Sequence, residues 1–346
     1  MAKLITSSTN TRLIMSTNTM KALILNSYDV KAFTESQIAI PIPAKGEVLV
    51  KIHASGVNPI DYKIREGSAT YATPELPAVL GTDLAGEIIS VGEGVTQFNA
   101  GDEVYGLTGG VRGLQGSLAE YAAVDANLIA LKPKNLSMRE AAALPLVFLT
   151  AWEGLVDRAQ VKAGDKVLVQ GGSGGVGHMV VQLAKILGAD VYATTSASKK
   201  AMVEGFGATA INYRAQSVDE YVQQYTQGKG FDVIYDTVGG DVLAASLPAV
   251  KHYGHITSCY AFGELNIAPS SLRCATISAV FVLLPMLSGE GRAHHGEILR
   301  KLTQFVEDGK LHPVVDPRRF NLNSALDAHD AVEQGSANVK VVIDIL

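Results

Sequence analysis

A glycine-rich loop at residues 171–177 carries the clearest chemical signal in this sequence. It lies within KVLVQGGSGGVGHMVVQLAK, residues 166–185, where an apolar run precedes five glycines in seven residues and a helical pattern follows. Gly172, Gly174 and Gly177 match the spacing G-x-G-x-x-G. Free N–H groups at a helix start favour an anion, and missing Cβ atoms let a pyrophosphate approach. We predict that the loop binds a dinucleotide rather than forming an unliganded turn, through Gly171, Ser173, Gly174, Gly175, Val176 and Gly177.

The residues after the next strand indicate which dinucleotide binds. An NAD site usually has Asp or Glu there, about 20 residues downstream, to hold the ribose 2′-hydroxyl. Here the strand VYATT leads into Ser196, Lys199 and Lys200, with no acid before Glu204. Hydroxyl and ammonium groups attract a 2′-phosphate, so we predict NADPH over NADH. The alternative is that these lysines only face solvent. Tyr213, after the third strand, is expected to close the adenosine end.

Cysteine and histidine are too sparse for the zinc site that many dehydrogenases use to polarise a C–O bond. The chain has two cysteines, Cys259 and Cys274. Neither GVNPIDY, residues 56–62, nor GTDLAGE, residues 81–87, contains Cys or His. The adjacent His294 and His295 would diverge by about 100° on a helix. We therefore predict no metal site.

The length and composition limit the classes of protein to which this sequence can belong. The 346 residues are 47% hydrophobic and 18% charged, with a net charge of -5, which suits two soluble domains and gives no basic surface for nucleic acid. The longest apolar run, ISAVFVLLPML at 277–287, is too short to span a bilayer. We expect a cytoplasmic protein. Residues 1–19 are interpreted as a disordered leader, an upstream start or a cloning remnant.

The pattern of strands and helices indicates an α/β protein with two domains. Short strands with Gly and Pro run from Met20 to about residue 135, and strands then alternate with helices, as in a doubly wound parallel sheet. Ser137 and Glu140 have capping-box spacing. The final segment returns to the first pattern. We predict a β-rich domain at 20–145 and 289–346 with a parallel-sheet domain at 146–288 inserted.

Several stretches together resemble the zinc-independent medium-chain dehydrogenase/reductases, closest to the quinone oxidoreductase, or zeta-crystallin-like, group. The resemblance covers Met20 to Leu346 and rests on GVNPIDYKIREG, LPAVLGTDLAGEIISVGEGVTQFNAGDEVYG, GSLAEYAAV, ALPLVFLTAWEGL, GGSGGVG, FDVIYDTVGG and VKVVIDI. It implies a GroES-like catalytic domain and a Rossmann domain that holds NADPH in the cleft between them. It also implies a homodimer, with the strand expected at 277–285 near its seam.

The resemblance assigns roles to residues outside the glycine loop. It places Asn58 near the nicotinamide ribose and Thr150 at the nicotinamide amide. It implies a 2′-phosphate site made by Lys199 or Lys200 with Ser196 and Tyr213. The other cofactor-binding residues that it implies are Cys259, Tyr260, Asn338 and Lys340.

The expected chemistry is hydride transfer from NADPH to a quinone or an α,β-unsaturated carbonyl. Without a metal, a simple ketone is poorly activated, whereas conjugation already makes the acceptor carbon electrophilic. Tyr71 and Asn58 are the candidate catalytic residues. Tyr71 would donate a hydrogen bond or a proton to the developing oxyanion, or would only cover the surface. Asn58 would orient substrate or ribose, and Asp61 is expected to pair with Arg65.

Other assignments stay open. The enzyme could be an enoyl-thioester or 2-alkenal reductase, and a non-catalytic, crystallin-like protein that binds NADPH is the alternative from another class. Residues 106–116, GLTGGVRGLQG, are expected to form a mobile rim of the substrate pocket. Leu283, Leu284 and Met286 would face either the substrate or a partner subunit.

Overall fold

Two lobes with different kinds of sheet make up the described chain. The computed structural model describes residues 18–29 and 32–346, so nearly all of the interpreted leader lies outside the described residues. The strands, in chain order, are β1 (Thr19–Leu25), β2 (Phe33–Ala39), β3 (Glu47–Val57), β4 (Ala78–Val79), β5 (Asp83–Val91), β6 (Glu103–Leu107), β7 (Tyr121–Asp125), β8 (Ile129–Leu131), β9 (Lys166–Gln170), β10 (Asp190–Thr195), β11 (Thr209–Asn212), β12 (Phe231–Asp236), β13 (Val250–Ser258), β14 (Thr276–Ala279), β15 (Phe320–Asn321) and β16 (Val341–Asp344). The helices are α1 (Pro59–Arg65), α2 (Met138–Ala142), α3 (Pro145–Trp152), α4 (Gly175–Ile186), α5 (Lys200–Gly205), α6 (Val218–Thr226), α7 (Gly240–Ser246), α8 (Ala268–Ser271), α9 (Leu284–Ser288), α10 (Arg292–Glu307) and α11 (Ala325–Glu333), and a π-helical turn, Glu153–Arg158, continues α3.

The β-rich lobe contains a three-stranded sheet, ordered β2-β1-β4, and a seven-stranded sheet. The larger sheet runs β15-β16-β3-β5-β6-β8, with β7 also paired to β3. Val48, Val50 and Ile52 of β3 are completely buried. The last strand, β16, pairs antiparallel with the end of β3, with Val341 opposite Val57. The end of the chain therefore returns to the residue that precedes Asn58.

The parallel-sheet lobe has six strands in the order β11-β10-β9-β12-β13-β14. Every neighbouring pair is parallel. The order reverses between β9 and β12, and ligands of such sheets bind at the carboxyl ends of the strands beside that reversal. The glycine loop follows β9 and thus lies at this point. The mixed α/β fold that the sequence predicts is confirmed.

The helix ends predicted from the sequence agree with the structure, but the extent of one predicted strand does not. Ser137 accepts from the backbone of Glu140 and starts α2, and Gly188, with φ +85°, follows the end of α4. The strand expected at 277–285 is wrong in extent, because β14 ends at Ala279. Pro285 lies in the first turn of α9, where its missing N–H breaks no helical bond.

Candidate functional site

The glycine loop makes a tight turn between β9 and α4. Gly171 has a φ of +76°, and its N–H donates to Thr194 Oγ1 over 2.9 Å. The N–H of Gly172 donates to the Thr194 carbonyl over 2.9 Å, which ties the turn to β10. No side chain caps the start of α4 at Gly174. The first N–H groups of this twelve-residue helix therefore point to the cleft without a capping partner.

The glycines of the loop divide into two kinds. A Cβ on Gly177 would lie 2.0 Å from the Gly171 carbonyl oxygen, and one on Gly172 would lie 2.6 Å from the Ala193 Cβ. These two are required for packing of strand against helix. A Cβ on Gly174 would have its nearest neighbour at 3.3 Å, and one on Gly175 at 3.6 Å, from Lys340 Cδ. The space over Gly175 is thus open and fits the close approach of a pyrophosphate, whereas a Cβ on Gly174 would make a tight contact with the Gly171 carbonyl oxygen.

The residues expected to hold a 2′-phosphate lie where β10 and β11 end. Ser196 Oγ is 3.0 Å from Ser198 Oγ, and Tyr213 is 53% exposed. Lys199 Nζ donates to the side-chain oxygen of Asn338, whereas Lys200 forms an ion pair with Glu204 one turn along α5. Arg214, which was not predicted from the sequence, adds a positive charge at these strand ends. Its guanidinium carbon lies 5.6 Å from the centre of the Tyr213 ring. Its position directly after Tyr213 was the available signal.

An apolar cavity of about 180 Å³ lies between the two lobes, beside the loop. Residues expected at the cofactor or substrate line it, among them Asn58, Tyr71, Thr150, Cys259 and Tyr260. Val176, at the start of α4, also lines it, so the cavity adjoins the loop. Burial, and secondly the charge of Asp236, raises the pKa of the Cys259 thiol to about 12. Cys259 is therefore a neutral wall of this cavity.

Aromatic rings of the parallel-sheet lobe surround Tyr71. Its ring is stacked on Phe262 with centroids 6.0 Å apart, and its edge-to-face contact with Phe281 spans 5.4 Å. The backbone of Tyr71 is also held in place, because Arg112 Nε and Nη2 donate to the Tyr71 carbonyl over 3.1 and 3.0 Å. Burial, followed by the neighbouring Tyr260, raises the pKa of the Tyr71 hydroxyl. Phe262 and Phe281 were not anticipated from the sequence.

Asn58 lies on the floor of the cavity, fully buried and held by charged neighbours. Its Nδ2 donates to Thr82 Oγ1 over 3.1 Å and to Asp83 Oδ2 over 2.8 Å. Its Oδ1 accepts from the buried ammonium of Lys340, which also lies 3.9 Å from Asp83. Burial raises the pKa of Asp83 and lowers that of Lys340, and their mutual attraction opposes both shifts. The amide of Asn58 is thus occupied by protein groups.

The expected pair of Asp61 with Arg65 does not form. Asp61 Oδ2 accepts from the backbone N–H of Asn58 over 2.7 Å and from Thr82 Oγ1 over 3.3 Å. Arg65 instead donates to Asp330 and Glu333 of α11 over 2.9 and 2.8 Å. The four-residue spacing favours a pair, but an acid in the first helical turn turns back to the N-cap backbone. Asp61 is therefore a buried part of the Asn58 network.

The expectation that residues 106–116 form the pocket rim is corrected. None of the residues 106–116, all within the described chain, lines the cavity; Arg112, Leu114 and Gln115 border a separate groove. A Cβ on Gly109 would lie 1.8 Å from the Gln115 carbonyl oxygen, so this segment is folded tightly on itself. Of the three residues expected to face the substrate or a partner subunit, Leu283 lines the cavity, Met286 is buried and Leu284 is exposed.

Among the described residues, no three His, Cys, Asp or Glu side chains lie together in a way that could hold a metal ion. No helix in the described ranges is long and apolar enough to cross a membrane.

Comparison with known proteins identifies the family. Residues 44–134 match the family model described as the alcohol dehydrogenase GroES-like domain, and residues 206–343 match the one described as zinc-binding dehydrogenase. The quinone oxidoreductase of Homo sapiens is 31% identical, over 90% of this chain and 92% of its own. This chain belongs to the medium-chain dehydrogenase/reductase superfamily, in its quinone oxidoreductase group.

Other relatives of this medium-chain dehydrogenase/reductase are similar along most of its length. The 2-methylene-furan-3-one reductase of Solanum lycopersicum is 39% identical over 89% of this chain and 74% of its own. The chloroplastic NADPH-dependent alkenal/one oxidoreductase of Arabidopsis thaliana is 36% identical, with 94% and 79% covered. An alcohol dehydrogenase superfamily protein from Novosphingobium aromaticivorans has a crystal structure with a TM-score of 0.92, 49% identity, and 94% and 100% covered. The protein is therefore an oxidoreductase that uses a nicotinamide dinucleotide.

Proposed function

We propose that this oxidoreductase transfers hydride from NADPH to a quinone or an α,β-unsaturated carbonyl without zinc. The observation that carries the proposal is the apolar cavity, which joins the start of α4 to a wall of aromatic rings that includes the phenols of Tyr71 and Tyr260. Such walls suit an uncharged conjugated acceptor. Two relatives are named for enone or alkenal substrates and one for quinones, which supports the same range.

The choice of NADPH rests on Lys199. The partner of its ammonium is the neutral Asn338, so its charge remains available to a 2′-phosphate, whereas Glu204 neutralises Lys200. Ser196, Tyr213 and Arg214 lie at the same strand ends. We therefore assign the 2′-phosphate to Lys199 rather than to Lys200, the two lysines between which the sequence left the choice open. Asn338 would accept from Lys199 and keep it at the strand ends.

The roles of the protein groups follow from their positions. When bound, the dinucleotide supplies the hydride, and the uncapped start of α4 holds its pyrophosphate. The Tyr71 hydroxyl donates a hydrogen bond to the acceptor oxygen as negative charge develops. Its raised pKa keeps the proton on Tyr71 at neutral pH. The apolar walls, including Val280 and Val282, exclude water from the reacting atoms.

A zinc ion fits the floor of this cavity poorly. The residues there are Asn58, Asp61, Thr82 and Asp83, with the ammonium of Lys340 between them. A second cation would be repelled by Lys340, and amide and hydroxyl groups are weak replacements for thiolate and imidazole ligands. The two carboxylates are instead matched by the ammonium and by hydrogen bonds.

The location and assembly of the protein are further proposals. A cytoplasmic location remains consistent with the composition. For a homodimer, the support is β14, an edge strand whose residues are mostly exposed. An open edge offers unpaired N–H and C=O groups to a second copy. Light scattering coupled to gel filtration would measure the mass, and the domain boundaries at 146 and 288 remain predictions.

Direct transfer of label tests the proposed reaction. Deuterium at the nicotinamide C4 of NADPH should appear at the β-carbon of a cyclic enone such as 2-cyclohexenone, observed by NMR. Label in the product at that carbon supports enone reduction. NADPH binding without any transfer, to enone or quinone, would support the non-catalytic alternative. Transfer only to an enoyl thioester would move the function to that class.

A further inference from the structure

We propose that Lys63 and Tyr260 form a subsite at the edge of the cavity for a carboxylate carried by the acceptor. This rests on the proposed function and deepens it, because it names conjugated carbonyl compounds with a carboxylate substituent as the substrate class. Of the residues that line the cavity, all within the described chain, Lys63 alone has a charged side chain. The apolar walls would hold the conjugated part of the acceptor, and Lys63 would hold the anionic substituent.

The ammonium of Lys63 has neutral partners. Its Nζ donates to the Tyr260 hydroxyl over 3.3 Å and lies 4.3 Å from the centre of the Tyr260 ring. It forms no ion pair with an acidic side chain of the described residues, although its side chain is only partly exposed. A cation that is partly removed from water without an anion beside it favours binding of an anionic ligand. The charge of Lys63 is thus available to the acceptor.

Together, Lys63 and Tyr260 offer two hydrogen-bond donors. An ammonium has three protons, and Lys63 directs one of them to Tyr260. Because the Tyr260 oxygen accepts from Lys63, the hydroxyl proton of Tyr260 can be donated to a third group. One N–H and one O–H on neighbouring atoms match the two oxygens of a carboxylate. Hydrogen bonds with ionised partners are about twice as strong as those between neutral groups.

The subsite spans the cleft between the lobes. Lys63 lies in α1 of the β-rich lobe, and Tyr260 follows β13 of the parallel-sheet lobe. The Tyr260 ring packs directly on Gly239, since a Cβ on that glycine would lie 2.4 Å from Tyr260 Cδ1. From this glycine the ring reaches across to Lys63. A bound carboxylate would therefore contact both lobes at once.

The subsite is close to the hydroxyl that would contact the carbonyl oxygen of the acceptor. Tyr260 contributes, after burial, to the raised pKa of Tyr71. Phe262 contacts both rings, with centroids 6.0 Å from Tyr71 and 5.7 Å from Tyr260. A carbonyl on Tyr71 and a carboxylate at the subsite would thus belong to one small molecule, as the cavity of about 180 Å³ also requires. A 4-oxo-2-enoate, with these two groups at opposite ends of one C=C bond, has this form.

The variant Lys63→Met tests the subsite, because it keeps an unbranched apolar side chain and removes the charge. The acceptors are trans-4-oxo-2-pentenoate and trans-3-penten-2-one, in which a methyl group replaces the carboxylate. We expect the ratio of kcat/KM for the pentenoate to kcat/KM for the pentenone to fall about 10-fold or more. Lys63→Arg should retain the ratio, and so should the control Lys229→Met, at an exposed lysine outside the cavity.

Two binding measurements separate failure of the subsite from failure of the proposed function. The anion 4-oxopentanoate has no C=C bond to reduce, and NMR titration in the presence of NADP⁺ measures its dissociation constant. Lys63→Met should raise this constant about 10-fold, whether or not the protein turns over any acceptor, and should leave the dissociation constant for NADPH unchanged. Lys63-dependent binding of 4-oxopentanoate without turnover would overturn only the proposed function.

Three results would overturn the subsite. One is equal affinity of the unmodified protein and Lys63→Met for 4-oxopentanoate. Another is an equal proportional loss of kcat/KM for the pentenoate and the pentenone. The third is a loss of NADPH affinity in Lys63→Met with an unchanged ratio, which would assign the ammonium of Lys63 to the cofactor.

Discussion

Lys340, directly before β16, donates a hydrogen bond to Asn58 at the start of α1, across 282 positions of the chain. The contact forms because β16 pairs with the end of β3 and brings the last strand beneath the cavity. With Asn58 Nδ2 committed to Thr82 and Asp83, the Asn58 amide has no free donor for a substrate. We infer that Asn58 shapes the cavity floor, and that Tyr71 is the group that contacts the acceptor.

Asp61→Asn is expected to make the stability of the protein less dependent on pH. Burial raises the pKa of Asp61 to about 7, above the value of about 4 in an unfolded chain. The native state therefore keeps a proton that the unfolded chain loses. This stabilisation is complete below pH about 4 and is lost as the pH rises to about 7, at up to about 1.4 kcal/mol per pH unit.

Urea denaturation between pH 4 and 8 measures this effect. The free energy of unfolding of Asp61→Asn should fall less steeply with pH than that of the unmodified protein. Asp327→Asn, at an exposed position of α11, is the control and should follow the unmodified protein. Identical slopes for Asp61→Asn and the control would contradict the buried, protonated state of Asp61.

Two glycines of the loop should respond differently to alanine. Gly177→Ala is expected to destabilise the fold by about 2 kcal/mol or more, because its Cβ would lie 2.0 Å from a backbone oxygen. Gly175→Ala should fold with a Tm near that of the unmodified protein, because its Cβ would have no neighbour closer than 3.6 Å. Its dissociation constant for NADPH should nevertheless rise at least about 10-fold, since the methyl group occupies the path of the pyrophosphate.

Calorimetry and NADPH titration separate these outcomes. Gly205→Ala in α5 is the matched control, because a Cβ there meets no atom within 4 Å. If Gly175→Ala binds NADPH normally, the pyrophosphate does not lie over this glycine.

The lysines after β10 should differ in their effect on the cofactor. Lys199→Ala is expected to raise the dissociation constant for NADPH about 10-fold or more, because a charged hydrogen bond to phosphate is lost. Lys200→Ala should raise it less than about 3-fold, since Glu204 already pairs with that ammonium. Neither should alter NADH binding. An equal loss for NADPH and NADH would show that Lys199 does not face the 2′-phosphate.

Tyr71→Phe should lower kcat by about 100-fold and leave the dissociation constant for NADPH unchanged. The substitution keeps the ring and its contacts with Phe262 and Phe281 and removes only the hydroxyl group. Because the pKa of Tyr71 is raised above 10, the hydroxyl should cause no loss of kcat between pH 6 and 9. Steady-state kinetics over that range provides the check, and full turnover by the variant would reduce Tyr71 to a packing role.

Parts of this molecule could be anticipated because local geometry determines them. Positive φ at Gly171 and Gly188, the helix caps and the alternation of strands with helices are readable from short stretches. They predicted the fold and the loop. The predicted pairing of Asp61 with Arg65 was wrong because two local preferences compete at Asp61, an ion pair four residues along the helix and a hydrogen bond to the backbone at the N-cap. The contact of Arg65 with α11, which is distant in sequence, decides between them.

Other parts depend on contacts distant in sequence. Phe262 lies in an irregular segment, and nothing near it indicates that its ring meets Tyr71. Asp83 had a usable signal, since a single acid within LGTDLAG must be buried with a partner. Its partner, Lys340, becomes evident only when β16 is placed beside β3.

Oxidation of NADPH and NADH at matched concentrations tests the central claim most directly. The protein would first be dialysed against a chelator, and 1,4-benzoquinone, 9,10-phenanthrenequinone and 2-cyclohexenone would be offered as acceptors. We predict turnover of at least one acceptor with NADPH, a kcat/KM at least about 10-fold lower with NADH, and no gain on adding zinc. Activity that required zinc, or that was equal with the two cofactors, would contradict the account.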